Sequence, residues 1–251
     1  MSPSRNPEPE LLVIMPAFNE EACIRKVVLE WNEELNRWTQ NFLLLVINDG
    51  SKDGTQAVLE RLQKEVGARL QVIHRENRGH GQTCLQGYRL AVEREIPYVL
   101  QLDSDGQCAP RFFKEFWRQR NDCDVIYGRR VTREDGWRRV LASLVLKMVL
   151  RVCTGIVCTD ANVPYRLMRT GMLVSVLPRI PADFFLVNVA MAVLLKQERG
   201  VRHGCVAIRF RKRYAGESHL RLGQFGSRAR ELIRQLRALK PCAPDPDASS
   251  R

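Results

Sequence analysis

The chain has 251 residues, 45% of them hydrophobic, and carries a formal net charge of +12. That apolar content is enough to bury one substantial core, which excludes a disordered chain. The basic balance favours an anionic partner: nucleic acid, an anionic membrane surface or a phosphorylated small molecule. A soluble basic surface with no particular partner is the alternative. Residues 1–10 and 241–251 are rich in Pro, Ser and charge, and we expect them to be flexible tails.

The eight cysteines are scattered and form no C-x-x-C pair. This distribution favours the reduced thiols of a cytosolic protein over a disulfide framework or a zinc site. The N-terminus is polar and Pro-rich, unlike a signal peptide. The runs LASLVLKMVLRV and FFLVNVAMAVLL are interrupted by Lys147, Arg151 or Asn188 and are too short to cross a bilayer. We therefore expect a cytoplasmic protein without a transmembrane segment, with a peripheral position on the cytoplasmic membrane face left open.

Short apolar runs alternate with helix-like segments through the first half of the chain. We predict buried strands at LLVIMP (11–16), FLLLVI (42–47), LQVIH (70–74) and YVLQLD (98–103). The first intervening segment has helical spacing, with one apolar side formed by Ile24, Val27, Val28, Trp31 and Leu35. Continuously apolar strands alternating with helices predict an α/β fold, with a mostly parallel sheet covered by helices on both faces.

The second half is less regular. We predict strands at 124–128, 163–169 and 201–210, a buried helix at 184–200, and a basic C-terminal helix at 223–240 that follows a single domain at 11–222. An amphipathic helix is predicted at 137–155, with an apolar side formed by Leu141, Leu144, Val145, Met148 and Val152. We expect that side to pack on the sheet, with contact to a membrane interface as the alternative.

Three polar clusters follow predicted strands: PAFNE (16–20), NDGSKDG (48–54) and DSDGQ (103–107). Ligands of open α/β sheets bind at the carboxyl ends of the strands, so the clusters should meet at one edge. Asp103 and Asp105 stand two apart, and neighbouring carboxylates repel each other unless a cation lies between them. Such oxygen ligands suit Mg²⁺ or Mn²⁺ together with a substrate phosphate. A solvated Asp-rich turn is the alternative.

Four ordered blocks carry a family resemblance: VIMPAFNEE, VINDGSKDGT, NRGHGQTCLQG and LDSDGQ, followed more weakly by YGRR, RRVLAS and RYAGESHL. Together they resemble glycosyltransferase family 2, which has the GT-A fold, and within it the dolichyl- or polyprenyl-phosphate mannose and glucose synthase branch. The resemblance covers roughly residues 11–222. It implies inverting transfer of a sugar from a nucleotide-diphosphate donor, expected to be a GDP- or UDP-sugar, with Mg²⁺ or Mn²⁺. The implied acceptor is a polyprenyl phosphate.

The resemblance also implies roles for individual residues. The nucleotide sugar would be bound by Pro16, Ala17, Phe18, Glu20, Ile47, Asp49, Asp103 and Ser104. The metal would be held by Asp103, Asp105 and Gln107. Phosphate groups of donor and acceptor would be bound by Arg130 or its neighbour Arg129, and by Arg139, Ser143, Arg213, Ser218 and His219. An ordinary solvated surface is the alternative for the arginines.

The chain departs from the family pattern at four positions. Asn48 replaces the first of two acids, which implies an altered base pocket and leaves the donor preference open. His80 and His219 stand where the family often has Lys, so a cation facing phosphate could become pH-dependent or be lost. Asn188 stands where a late helix often supplies an acid.

The acceptor decides whether a general base is needed. A polyprenyl phosphate is already anionic and needs none, and a metal on Asp103 and Asp105, with Arg213 and Arg130 nearby, would stabilise the leaving group. A saccharide, protein or small-molecule hydroxyl would need a carboxylate base, and Asp160 is then the candidate catalytic residue beside Asp105. A third possibility is a non-catalytic anion- or nucleic-acid-binding protein. Because the basic residues lack interleaved aromatics or a recognised binding motif, we expect no nucleic-acid partner.

Overall fold

The computed structural model describes residues 9–131, 136–158, 160–214 and 225–239, and the side chains of all of these except 136–143 and 225–229. The strands are β1 (Leu11–Ala17), β2 (Phe42–Asp49), β3 (Leu70–Arg75), β4 (Tyr98–Gln101), β5 (Val125–Arg130), β6 (Arg166–Arg169) and β7 (His203–Ile208). The helices are α1 (Ile24–Trp38), α2 (Thr55–Val66), α3 (His80–Glu93), α4 (Phe113–Gln119), α5 (Gly136–Thr154), α6 (Gly171–Val176), α7 (Val187–Gln197) and α8 (Phe225–Ala238). Short 3₁₀ turns lie at Gly67–Arg69, Pro110–Phe112 and Leu177–Arg179.

The described strands form one seven-stranded sheet in the order β3-β2-β1-β4-β6-β5-β7. β1 pairs in parallel with β2 and with β4, and β2 pairs in parallel with β3. β6 runs antiparallel to both β4 and β5, and β7 is parallel to β5. The prediction of a mostly parallel sheet is therefore confirmed, with β6 as the reversed strand.

Helices cover both faces of the sheet, because alternate residues of the strands point to opposite sides. On one face Leu11, Val13 and Met15 of β1 pack with residues of α1, α2 and α4. On the other face Leu12 and Ile14 pack with residues of α3, α6, α7 and α8. The predicted apolar side of α1 is confirmed, since all five of its residues are fully buried. Burying each such side chain contributes about 1.5–3 kcal/mol, so both faces hold the sheet firmly.

Helix α5 packs on a different side from the one predicted. Leu144, Met148 and Val152 are 55%, 63% and 76% exposed, whereas Leu150 is fully buried. Its partly buried apolar residues, Leu146, Val149 and Cys153, pack beside Leu150 against the core. The expectation that the 144/148/152 side packs on the sheet is wrong because the helix has apolar residues on more than one side. Leu141 of the predicted set lies outside the described side chains.

None of the helices in the described part of the chain combines the length and the apolar character needed to cross a membrane.

Candidate functional site

A cavity of about 270 Å³ opens where the loops after β1, β2 and β4 meet. Because β1 runs parallel to both neighbours, the carboxyl ends of these strands lie at one edge of the sheet, as expected. Nine residues predicted from the sequence line this cavity: Pro16, Ala17, Phe18, Glu20, Asp49, Asp103, Ser104, Asp105 and Arg213. Five further residues line it. His80 was expected to replace a cation that faces phosphate, and the other four were given no individual role: Asn19, Asn77, Gly79 and Thr83.

The remaining predicted site residues either do not line the cavity or fall outside the described residues. Ile47 is fully buried within β2. Gln107, Arg129, Arg130 and Asp160 belong to the described residues but do not line the cavity. The side chains of Arg139 and Ser143, and the whole of Ser218 and His219, fall outside the described residues.

The loops after β1 and β2 are joined by reciprocal hydrogen bonds. The backbone N–H of Asn19 donates to Ser51 Oγ at 2.9 Å, and the backbone N–H of Lys52 donates to Asn19 Oδ1 at 2.8 Å. The backbone N–H of Glu20 donates to Thr55 Oγ1 at 2.9 Å. Asn19 adopts a φ of 56°, a left-handed conformation that Asn tolerates better than most residues. These bonds fix the loop that carries Phe18 and Glu20 at the rim of the cavity.

Asp49 at the end of β2 holds the next loop rather than presenting a free carboxylate. Its Oδ1 accepts hydrogen bonds from Arg75 Nε at 2.8 Å and from the backbone N–H of Arg78 at 2.9 Å. Its Oδ2 accepts from the backbone N–H of Gly79 at 2.7 Å. Asn77 Nδ2 also donates to the Asp49 carbonyl oxygen at 2.8 Å. Asp49 thus positions residues 77–79 through its carboxylate and its backbone carbonyl oxygen, and two of these residues line the cavity.

Asn48, which departs from the family pattern, does not line the cavity. It is buried, its Oδ1 accepts from the backbone N–H of Ser51 at 3.2 Å, and its Nδ2 lies 3.1 Å from His74 Nδ1. The amide therefore links the end of β2 to β3 and to the following turn.

Asp103 and Asp105 each contact a basic side chain. Asp103 Oδ1 lies 3.0 Å from His80 Nε2, and Asp105 Oδ2 lies 2.9 Å from Arg213 Nη2. The backbone N–H of Gln107 donates to Asp105 Oδ1 at 2.9 Å. Asp105 is only 2% exposed, and this burial, together with the charge of Asp103, raises the pKa of its carboxyl group. The site therefore concentrates two carboxylates that the protein offsets with one imidazole and one guanidinium.

This donor set fits a metal that arrives with a phosphorylated ligand. No group of three or more His, Cys, Asp or Glu side chains poised to bind a metal is found within the described residues. Mg²⁺ is commonly bound through one or two carboxylates, with substrate phosphates and water completing its octahedral shell. Asp103 and Asp105 meet that requirement. The backbone N–H of Gln107 donates to Asp105, and the role of the Gln107 side chain as a metal ligand stays a prediction.

The segment between β3 and α3, together with the first turn of α3, supplies all of the five further lining residues except Asn19. Gly79 precedes α3 with a φ of 87°, and its carbonyl oxygen accepts from Thr83 Oγ1 at 3.0 Å. α3 begins at His80, so its N-terminus faces the cavity. The free N–H groups and dipole at a helix N-terminus favour anions. The Gly-rich block NRGHGQ before an apolar helix was the available signal for this part of the site.

Two predicted residues of the second half bind each other. Arg130 Nε and Nη2 each donate to the Asp160 carboxylate at 2.6 Å, and both side chains are largely buried. Asn188 is also buried, and its backbone carbonyl oxygen accepts a hydrogen bond from Arg166 Nη1 at 3.1 Å. In this structure Asp160 is thus engaged by an arginine, and Asn188 helps to hold the fully buried Arg166.

Residues 12–175 match the family described as glycosyl transferase family 2. The chain is 27% identical over 174 residues to polyprenol monophosphomannose synthase of Mycolicibacterium smegmatis, covering 66% of this chain and 64% of that protein. It is 25% identical over 167 residues to undecaprenyl-phosphate 4-deoxy-4-formamido-L-arabinose transferase of Aeromonas hydrophila, covering 66% of this chain and 50% of that protein. The matches thus span less than two thirds of the length of either relative.

Solved structures of glucosyl-3-phosphoglycerate synthase from Mycobacterium tuberculosis share the fold. The complex with Mn²⁺, UDP and glucosyl-3-phosphoglycerate has a TM-score of 0.64 at 19% identity, covering 94% of this chain and 81% of that chain. The complex with Mg²⁺ and UDP has a TM-score of 0.65 at 19% identity, covering 94% and 80%. The expected GT-A fold is thereby confirmed. With the family match extending over more than half of its residues, the chain belongs to glycosyl transferase family 2.

Proposed function

We propose that this protein is a metal-dependent, inverting glycosyltransferase that moves a sugar from a nucleotide diphosphate to a polyprenyl phosphate. The observation that carries the proposal is the cavity at the strand ends, where Asp103 and Asp105 face Arg213 and the N-terminus of α3. Carboxylates for a divalent cation and positive groups for a diphosphate are thus present together. The relatives named for polyprenol and undecaprenyl phosphate support the acceptor class, and the neighbours solved with UDP and Mn²⁺ or Mg²⁺ support the donor class.

The ion pairs of the site would exchange partners when the donor binds. Arg213 pairs with Asp105 and His80 contacts Asp103, so both acids are occupied before a ligand arrives. A divalent cation held by the two carboxylates would supply charge neutralisation at the diphosphate. Arg213 would then turn its guanidinium to the diphosphate, which is a stronger anionic partner than one carboxylate. The acidic and basic side chains that would contact the donor and its cation therefore already line one cavity.

Transfer forms a bond between an acceptor oxygen and the anomeric carbon while the bond to the nucleoside diphosphate breaks. Negative charge accumulates on the leaving diphosphate, where Arg213 and the first N–H groups of α3 stabilise it. A phosphate acceptor is already anionic and needs no proton removed. The bidentate pair of Asp160 with Arg130 agrees with this, because Asp160 would have to lose that partner before acting as a base for a hydroxyl acceptor.

Helix α5 provides a surface suited to the lipid. Leu144, Met148 and Val152 follow each other at intervals of four residues and are exposed, so they form one apolar stripe. Arg151 on the same helix is exposed, and the chain carries a net charge of +12. An apolar stripe with adjacent cations matches the interface of a membrane containing anionic lipids. We assign this side of α5 to peripheral contact with such a membrane.

Membrane contact is tested by flotation with vesicles of phosphatidylcholine and phosphatidylglycerol. Met148→Glu places a charge in the stripe and should reduce the bound fraction strongly while leaving the thermal midpoint unchanged, since Met148 is exposed. Ala57→Glu adds the same charge to an exposed position of α2, on the opposite face of the sheet, and should bind like the wild type. Equal binding of Met148→Glu and wild type would remove α5 from the interface.

Catalysis is tested in two stages. A thermal-shift screen of UDP-, GDP-, CMP- and dTDP-sugars with Mn²⁺ identifies the donor, and transfer of its labelled sugar to a polyprenyl phosphate is then measured. Asp105→Asn should abolish transfer and the Mn²⁺-dependent stabilisation, and excess chelator should do the same to the wild type. Asp122→Asn makes the same chemical change at an exposed position and serves as the control. Stabilisation of the wild type by none of these nucleotides, or full transfer by Asp105→Asn, would refute the proposal.

A further inference from the structure

Arg213 enters the cavity from a short segment, 211–214, that follows β7. Two backbone hydrogen bonds join this segment to the turn that carries Asp105. The N–H of Arg211 donates to the Gln107 carbonyl at 3.0 Å, and the N–H of Tyr214 donates to the Asp105 carbonyl at 3.1 Å. Arg213 lies between these two anchored residues, so its backbone position depends on both bonds.

A single carboxylate outside the cavity holds both anchors. Glu30 of α1 accepts from Arg211 Nη2 at 2.8 Å, and its two oxygens accept from the Tyr214 hydroxyl at 2.8 and 3.0 Å. Arg211 Nε also donates to the Gly106 carbonyl at 3.0 Å. Glu30 is not among the residues that line the cavity. It thus connects α1 to the segment that delivers Arg213 without reaching the ligand itself.

The surroundings of Tyr214 are tightly packed. The Lys26 ammonium lies 4.0 Å from the centre of the ring, and the Arg211 guanidinium lies 4.8 Å from it. A Cβ added to Gly106 would come within 2.5 Å of the ring, and Gly106 has a φ of 80°, which also favours glycine. The ring therefore rests directly on the turn between Asp105 and Gln107. Burial, and the hydrogen bond to Glu30, raise the pKa of the Tyr214 hydroxyl, so it stays a donor at neutral pH.

Glu30 differs in its exposure and in its contacts from Glu33, an ordinary surface acid of the same helix. Its side chain is 28% exposed, compared with 69% for Glu33, which pairs with Arg37 one turn along the same helix. An i,i+4 pair such as that of Glu33 contributes little to stability at an exposed site, because solvent screens the charges. Glu30 also lies 3.9 Å from Lys26 in an i,i+4 pair, but it receives two further donors from residues 181 and 184 positions away, and these contacts fix tertiary structure.

We propose that Glu30 is a positioning residue, which holds Arg211 and Tyr214 against the Asp105 turn and so keeps Arg213 directed into the cavity. This role rests on the proposed function, since it gives Arg213 the diphosphate of the donor as its partner. Glu30 itself touches neither donor nor metal. Losing it frees the segment and withdraws Arg213, while the carboxylates of Asp103 and Asp105 stay in place.

The structural part is tested without any ligand, by hydrogen–deuterium exchange of the full chain. Glu30→Ala should speed exchange of the Arg211 and Tyr214 amides by about tenfold or more, since hydrogen bonds to charged groups contribute about 1.5–3 kcal/mol. Tyr214→Phe removes one of the two anchors and should give a smaller increase. Glu33→Ala is the matched control and should leave these amides unchanged. Unchanged protection in Glu30→Ala would overturn the positioning role.

The functional part is tested by calorimetric titration with Mn²⁺ and UDP or GDP, whichever stabilises the wild type. Arg213→Ala should weaken binding by about tenfold, in line with one charge-assisted contact. Glu30→Ala should weaken it as well, and the Glu30→Ala/Arg213→Ala double variant should bind no more weakly than Arg213→Ala, because both act through one guanidinium. Additive losses would overturn the proposal.

The two tests also separate the two proposals. A wild type that binds neither nucleotide with Mn²⁺ would refute the transferase function. The exchange experiment would still decide whether Glu30 holds the segment.

Discussion

Replacing Asp49 by Asn tests whether this acid holds the cavity loop together. The Asp49 carboxylate is 3% exposed and accepts four hydrogen bonds or ion-pair contacts, two from Arg75 and one each from the N–H groups of Arg78 and Gly79. An Asn side chain keeps one acceptor oxygen, but it turns an NH₂ group towards donors and removes the charge that balances Arg75. The donors at one of the two carboxylate oxygen positions therefore lose their acceptor.

The expected loss of stability follows from these contacts. Removing one partner of a buried ion pair costs about 3–5 kcal/mol. Arg75 keeps hydrogen bonds to Thr83 Oγ1 at 2.8 Å and to Gln86 Oε1 at 2.7 Å, so the lower end of that range applies. For a chain of this size, a loss of about 3 kcal/mol lowers the thermal midpoint by roughly 6–12 °C. Urea unfolding followed by circular dichroism measures the same difference at constant temperature.

Asp122→Asn is the control for this experiment, because it removes the same charge from an exposed side chain and should change stability by less than about 0.5 kcal/mol. Asp49→Asn should also weaken nucleotide binding, since Asn77 and Gly79 of the loop it holds line the cavity. Normal stability in Asp49→Asn would refute the structural role. Normal stability combined with lost nucleotide binding would indicate that Asp49 contacts the nucleoside directly, as the family resemblance implied.

Two further changes probe the sheet. Hydrogen bonds from Arg202 and the nearby charge of Arg169 lower the pKa of Asp124 in the folded protein. The ionised Asp124 should therefore stabilise the folded protein fully above the carboxyl pKa of the unfolded chain. This stabilisation should disappear as the pH falls through the lower pKa of the folded protein. Asp124→Asn should therefore cost about 1 kcal/mol at pH 7, discounted because Arg202 is exposed, and the difference in urea unfolding should shrink towards pH 3. A difference independent of pH would contradict this origin. Gly87→Ala should destabilise the protein by about 1–3 kcal/mol, because the added Cβ would lie 2.6 Å from Ile14 of β1. Thermal unfolding no different from that of the wild type would show that α3 can shift away from β1.

The first half of the fold could be predicted because each local signal agrees with the tertiary structure. The apolar runs are long enough to identify β1 and β2, and the stripe through Trp31 and Leu35 matches the buried side of α1. Parallel pairing then brings the polar ends of those strands to one edge without further information. That is why residues from different loops to which the family resemblance assigned roles, such as Pro16, Asp49 and Asp103, line the same cavity.

Sequence patterns failed where apolar residues were not confined to one side or where elements were short. Helix α5 has apolar residues at 144, 148 and 152 and also at 146, 149 and 150, so periodicity alone cannot choose the packed side. α4 and α6 have only seven and six residues, too few to give a helical period. Contacts between distant residues were equally out of reach, as Glu30 and Arg211 are 181 positions apart.

In the protein without ligand, Asp103 contacts His80 and Asp105 pairs with Arg213. These contacts affect the geometry of the site before a ligand binds. Two carboxylates this close would repel each other and drive the turn apart, and the burial of Asp105 makes the repulsion stronger. His80 and Arg213 offset that repulsion while no ligand is bound, so the turn keeps its geometry. Under the proposed function, the same contacts would compete with a divalent cation and lower its affinity for the protein alone. A diphosphate would remove this competition by giving Arg213 a better partner, so we expect the cation and the nucleotide each to bind more tightly in the presence of the other. Titrations of Mn²⁺ with and without nucleotide measure that coupling, and Arg213→Ala should reduce it by removing the group that changes partners.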